Sequence, residues 1–273
     1  MEKTIQHLES TISYSVEGTG ETLVLLHGFC EDKNIWQDFK QPLLAKSKII
    51  CIDLPGFGKS LPGKNHTSME LMAEAVLAVL EGEQIEKSAG SCGCFLLGHS
   101  MGGYVTLAFA EKYPEQLKGI GLFHSSCFAD DDLKKETRKK VAEFVLNNGS
   151  RLFAYQLFPT LFTPVFADRN KELIVAMEEK AAIIPEQSIA GASLAMAARK
   201  DLSIILKETN LPVLLIFGKN DLAIPIERSM MMAHLPATAI ICLLEKSAHM
   251  GMLEEPKKSL LAIADWMKFD STS

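Results

Sequence analysis

The stretch CFLLGHSMGGYVTLAFAEKYP, residues 94–114, decides how the chain is read. Four apolar residues run directly into Gly98-His99-Ser100-Met101-Gly102-Gly103, and a segment of helical period follows, with Val105, Ala108 and Phe109 on one face. A serine flanked at −2 and +2 by glycine, at a strand-to-helix junction, is the pattern of a nucleophile elbow. The letters have a physical reason. A hydroxyl exposed on so sharp a turn needs a strained backbone, and a Cβ at Gly98 or Gly102 would collide with neighbouring main chain. The alternative is a glycine-rich turn whose serine merely caps a helix.

Around this junction, apolar runs rich in β-branched residues alternate with segments of period 3.6, which predicts a mostly parallel, doubly wound α/β sheet. The expected strands are 10–16, 22–27, 48–53, 94–99, 119–124, 212–217 and 238–243. Helices are expected at 68–81, where Met72, Ala75, Val76, Val79 and Leu80 share a face, and at 256–268, opened by Pro256. Between about 127 and 208 only helical period remains, over 132–147, 151–162, 169–182, 186–198 and 201–207. The expected organisation is therefore a core of 1–126 and 209–273 with a helical insertion, 127–208, above the carboxyl ends of the strands.

A serine hydroxyl needs a base, and the base needs an orienting acid. In this architecture the order is serine, then acid, then histidine, each just past a strand. VLLIFG leads into Gly218-Lys219-Asn220-Asp221, and IICLL leads into Glu245-Lys246-Ser247-Ala248-His249, on the same sheet edge as Ser100. Taken alone, Asp221 could be a turn or helix-cap residue and His249 a buried loop histidine. The competing histidines are weaker bases: His7, His66, His124 and His234 fall in tails, loops or helix ends, and His99 faces away from its neighbour's hydroxyl. Two N–H groups are needed for the charge growing on a carbonyl oxygen. Met101, first in its helix, offers one; in LVLLHGFC, residues 23–30, the strand ends at His27, Gly28 removes bulk, and Phe29 offers the other.

DLPGFGKS, residues 53–60, has the ending of a phosphate-binding loop but not its start, since Asp53 stands where that loop needs glycine. A dinucleotide fingerprint fails as well, with Leu61 at the third glycine position. The net charge of −6 and the absence of a basic cluster argue against nucleic acid as a partner. The N-terminus shows no leader pattern and no apolar run is long enough for a bilayer, so a soluble cytoplasmic protein without membrane association is expected. Cysteines 30, 51, 92, 94, 127 and 242 are scattered and read as reduced thiols, and Cys92-Gly93-Cys94 is too tight for the usual metal or redox pair.

In order and spacing, LLHGF, DLPGFGKS, GHSMGG, GKNDLAIP and SAHMGMLEEP resemble the α/β-hydrolase family over nearly the whole chain. The resemblance implies Ser100 as nucleophile, Asp221 as acid, His249 as base, the Phe29 and Met101 amides as oxyanion donors, and 127–208 as a cap. It makes DLPGFGKS a structural turn. A serine where related folds carry aspartate disfavours an alkyl-enzyme, and the lone Gly28 departs from the glycine runs of lipases that take bulky alcohol esters. The implied activity is hydrolysis of carboxylic esters with small or medium apolar acyl groups. Carbon–carbon (diketone) hydrolysis, perhydrolysis, thioester cleavage and aminopeptidase chemistry are open on the same triad, as is a slow small-molecule receptor. No metal or cofactor is implied; the expected partner is a small-molecule acyl substrate, with the chain a monomer or homodimer. LFAYQLFPTLFTPVF, residues 152–166, could line the acyl site or form the insertion's own core.

Overall fold

The computed structural model describes residues 1–62, 67–85 and 93–268; His66 and Cys92 lie outside them. Eight strands form one sheet: β1 (Glu2–His7), β2 (Ser10–Glu17), β3 (Glu21–Leu26), β4 (Ser47–Ile52), β5 (Cys94–His99), β6 (Leu117–Phe123), β7 (Val213–Gly218) and β8 (Ala239–Leu244). Their order across the sheet is β1-β2-β4-β3-β5-β6-β7-β8. The pairs β1/β2 and β2/β4 are antiparallel and every later pair is parallel.

Strand period two divides the core. Val24, Leu26, Leu96 and Leu122 face one apolar cluster, which holds α1 (Met69–Gly82) and α2 (Met101–Lys112). Leu23, Leu25, Leu97 and Phe123 face a second, closed by Trp266 at the end of α11 (Pro256–Trp266). Near-continuous apolar strands are what a sheet covered on both faces requires. Trp266 packs edge-on against Phe95, and its indole N–H donates to the Pro212 carbonyl at 2.9 Å.

Between β6 and β7 stand α3 (Asp132–Asn148), α4 (Ser150–Leu157), α5 (Pro164–Arg169), α6 (Lys171–Ala181), α7 (Glu186–Ala198) and α8 (Ser203–Glu208). The Asp131 side chain caps α3 by accepting from the Lys134 N–H. After β7 come α9 (Ile226–Ala233) and, beyond β8, the short α10 (Gly251–Glu254) that precedes α11. Among the described residues, no helix is long and apolar enough to cross a membrane.

The structure departs from the sequence reading in three places. β1 was not expected: it is an edge strand of alternating exposed and half-buried residues whose apolar content inside the sheet is Ile5 alone, so its hydrophobic period is nearly silent. The single helix expected over 151–162 ends at Leu157 and tightens into a 3-10 turn, Phe158–Leu161, because Pro159 cannot continue an α-helix. The helix expected over 169–182 is matched by α6, but a short helix that was not expected, α5, is opened by Pro164 and fills the interval before it, meeting α6 at Asn170.

Candidate active site

Every strand from β3 to β8 except β4 ends beside the site, and each delivers at least one of its groups. Ser100 follows β5 at φ +50°, a left-handed conformation that a serine adopts only when its surroundings enforce it. A Cβ on Gly98 would lie 2.1 Å from the Gly102 carbonyl oxygen, and one on Gly102 would lie 2.7 Å from the carbonyls of Leu26 and His27. The two glycines thus let α2 start directly on top of β5 and β3. Ser125, from the segment after β6, donates its hydroxyl to the Ser100 carbonyl at 2.7 Å and holds the turn from the other side.

The structure brings together Ser100, His249 and Asp221. His249 Nε2 lies 2.9 Å from Ser100 Oγ, and His249 Nδ1 lies 2.7 Å from Asp221 Oδ2. Asp221 Oδ1 accepts from the Ala223 and Ile224 N–H groups, at 2.8 and 2.9 Å. Asp221 and His249 are buried and Ser100 is half-buried. Burial alone would raise the Asp221 pKa, but His249 and a second histidine, His124, override it and hold the carboxyl far below the usual carboxylate range. The carboxylate is therefore charged across the whole working pH range.

Phe29 and Met101 also lie at this edge. Among the described residues, neither N–H is taken by a hydrogen-bond acceptor. The loop carrying Phe29 is braced by His27, whose Nδ1–H donates to the Gly28 carbonyl at 2.8 Å while Nε2 accepts the Leu54 N–H at 3.0 Å. DLPGFGKS is therefore tied to the Phe29 loop. Its own turn closes on Asp53, which accepts from the backbone N–H of Lys33 and of Lys59 and pairs with Lys33 Nζ at 2.7 Å. Those contacts fill the carboxylate with internal partners, and the segment is structural.

Two groups escaped the sequence reading. Glu31, 6% exposed, accepts from the Gly28 N–H at 2.7 Å and faces His99 Nδ1 at 3.1 Å; His99 Nε2 lies 2.9 Å from the His249 carbonyl oxygen. Both nitrogens of His99 meet acceptors, which makes the ring an imidazolium paired with a carboxylate. Burial opposes the charge on His99, yet Glu31 outweighs it and raises the pKa; burial opposes the charge on Glu31, and His99 lowers it. The pair joins the Phe29 loop to the His249 loop. No motif announces Glu31, since nothing in the chain order links residues 31, 99 and 249.

The second is His124, set above among loop and helix-end histidines. The structure instead buries it at the end of β6, with Nδ1 3.1 Å from Asp221 Oδ2. The rings of His99, His124 and His249 lie within 6.1 Å of one another, centroid to centroid. His124 Nδ1, Asp221 and His249 Nδ1 could in principle hold a metal ion. Here these ligand atoms are committed to one another by hydrogen bonds.

The helices between β6 and β7 touch the site directly. The His249 N–H donates to the Leu161 carbonyl at 2.9 Å. Glu254 accepts from Ala248 N–H and Ser247 Oγ on one oxygen, and from Thr163 N–H and Oγ on the other. Phe153 packs edge-on against Phe29, with ring centroids 6.0 Å apart, while Phe162 stacks on Phe166. The Phe-rich segment thus puts one ring, Phe153, against Phe29, while Phe158, Leu161 and Phe162 are buried in an apolar cluster. A cavity of about 890 Å3 opens between these helices and the sheet edge, lined by Cys30, Gly56, Phe158, Met177, Ile184 and Met252 among others. Neither Ser100 nor His249 is in its wall, so the cavity adjoins the hydrogen-bonded Ser100–His249–Asp221 line without containing it.

Comparison with known proteins agrees with this geometry. The family model Hydrolase_4, described as serine aminopeptidase, S33, matches residues 19–256. A pimeloyl-(acyl-carrier protein) methyl ester esterase of Aeromonas hydrophila is 28% identical over 260 residues, covering 90% of this chain and 96% of that protein. A thermophilic esterase from Thermogutta terrifontis superposes with a TM-score of 0.90 at 28% identity, covering 98% of both chains. The enol-lactonase from Burkholderia xenovorans shares the fold, with a TM-score of 0.86 at 19% identity over 95% of this chain and 97% of that one. With the motifs in order, the sheet wound as described and the family model spanning both halves of the core, the chain belongs to the Hydrolase_4 family of α/β-hydrolases.

Proposed function

We propose that the chain is a carboxylic-ester hydrolase that works through an acyl-enzyme on Ser100. The observation that carries this is the unbroken line from Ser100 Oγ through His249 to Asp221, at 2.9 and 2.7 Å. His249 Nε2 takes the hydroxyl proton as Oγ attacks the ester carbonyl. The negative charge that develops on the carbonyl oxygen is met by the Phe29 and Met101 N–H groups, the latter at a helix N-terminus. The charged Asp221 stabilises the imidazolium, which then gives its proton to the leaving alkoxide. Water, activated by the same nitrogen, releases the acid.

The helices over 127–208 act as a cap, supported by the Leu161–His249 and Thr163–Glu254 bonds. The apolar Phe29–Phe153 contact favours a small or medium apolar acyl group. An aminopeptidase would need a carboxylate to receive a free α-ammonium; among the described residues, the two that touch the site's histidines, Asp221 and Glu31, are already engaged by buried donors. The esterase names of the relatives support the same reading. The buried free thiols at Cys30, Cys51, Cys94, Cys127 and Cys242 suit a reducing, cytoplasmic setting.

The test is kcat/KM for p-nitrophenyl esters of two to twelve acyl carbons, with Ser100→Ala as control. Turnover with a maximum at short or medium chains, abolished by the substitution, is expected. Turnover independent of Ser100, or none with any ester, would overturn the reading.

A further inference from the structure

Resting on the ester-hydrolase reading above, we propose that His124 is a positioning residue for catalysis: a second imidazole that fixes the acid of the triad and the chain segment bearing the base.

The Gly251 N–H donates to His124 Nε2 at 3.1 Å. That nitrogen must hold a lone pair, so the proton of the neutral ring sits on Nδ1 and is directed at Asp221 Oδ2, 3.1 Å away. The single oxygen that orients His249 therefore receives N–H groups from two imidazoles. Gly251 lies two residues past the base and begins α10. One ring thus bridges both partners of the Asp221–His249 pair.

The surroundings are built to hold this ring. His124 takes a left-handed backbone, φ +49°, an uncommon conformation for a residue with a side chain. A Cβ on Gly251 would stand 2.4 Å from Nε2, and one on Gly218 would stand 2.7 Å from Cε1. Both glycines face the ring, so neither flank admits a larger residue without displacing it. Burial keeps the ring neutral, pushing its pKa down to about 4 despite the adjacent carboxylate. A neutral donor serves Asp221 better than a cation here, because it fixes the carboxylate without cancelling the charge that the imidazolium of His249 needs.

The experiment uses the full chain with His124→Phe, His124→Asn and His124→Gln, each also in an Asp221→Asn background. Kinetics on p-nitrophenyl butyrate are normalised to sites titrated by a fluorophosphonate. Asn places an amide N–H where Nδ1 stood; Gln retains an acceptor near the Nε2 position but loses that donor. His124→Phe and His124→Gln are expected to lower kcat about 10- to 100-fold, with KM changed by less than about twofold, while His124→Asn stays within about fivefold of wild type. In the Asp221→Asn background the Phe and Gln effects should shrink to about threefold or less, because the carboxylate they act through is gone. If Phe fails to fold, the Gln–Asn contrast carries the same information. Losses equal in both backgrounds, an Asn variant as impaired as Gln, or a Gln variant within about threefold of wild type would overturn the proposal. Should wild type hydrolyse no ester, the esterase reading fails by itself, and the rate of phosphonylation at Ser100 across the same variants still reports on His124.

Discussion

Replacing Gly98 by alanine adds one methyl group, and the structure says where it goes. The new carbon would sit 2.1 Å from the Gly102 oxygen, 2.2 Å from its carbonyl carbon and 2.4 Å from the Gly103 nitrogen. All three are main-chain atoms of the first turn of α2, so no side chain can swing aside. Restoring ordinary contact requires the start of α2 to move by roughly 1 Å relative to β5, a forced overpacking that costs about 3 kcal/mol of stability. The same shift carries Ser100 out of line with His249, and a 1 Å misplacement of a reacting group costs about 100-fold in rate. The assay is kcat/KM per titratable serine on p-nitrophenyl butyrate, together with urea unfolding. Gly191→Ala, inside α7, is the control. Its added carbon meets Thr67 Oγ1 at 3.2 Å, a side-chain atom and not main chain, and alanine raises helix propensity there by up to about 1 kcal/mol. Wild-type activity and stability in Gly98→Ala would refute the argument that close backbone approach shapes the elbow.

Glu254→Gln turns one of two oxygens that each accept two bonds into a donor, and should cost about 2 kcal/mol and lower kcat more than it raises KM, since Ala248 precedes His249, the proposed base; an unchanged kcat would contradict it. Arg199 pairs with the buried Asp130 at 2.7 Å and lies over the Tyr104 ring at 3.9 Å, so Arg199→Met should destabilise by roughly 3 kcal/mol, at the low end for a broken buried pair because Arg138 also faces Asp130. Chemical denaturation checks it, and a loss below about 1 kcal/mol would contradict it. His124 has a folded pKa near 4 against its usual 6.5, so the unfolded chain binds the extra proton first and stability falls as pH drops from 6.5 toward 4, by about 3 kcal/mol from this group. His124→Phe should flatten the urea midpoint over that window; an equal slope in both chains would refute the assignment.

Much of the fold was legible because its signals are local. A parallel sheet buried on both faces writes itself as apolar runs, and the elbow at Ser100 needs its glycines within a few residues. β1 was not legible, for an edge strand with one inward apolar residue carries almost no period. The helical block was legible as helical, but the 3-10 turn at Pro159 and the short helix opened by Pro164 were not, because both fall inside or between longer stretches of helical period. At the site, Ser100, Asp221 and His249 could be found because each follows a strand in a known order. Glu31 and His124 could not, since their roles arise from burial and from partners 68 and 97 residues away. A histidine at a strand end reads the same whether it faces solvent or a carboxylate.

The central claim is that Ser100 is the activated nucleophile. Incubation of the native chain with a fluorophosphonate, followed by intact-mass and peptide mass spectrometry, tests it most directly. A single adduct is expected on the peptide bearing Ser100, absent from Ser100→Ala and formed far more slowly in His249→Gln. An adduct on another residue, or one that persists in Ser100→Ala, would contradict it.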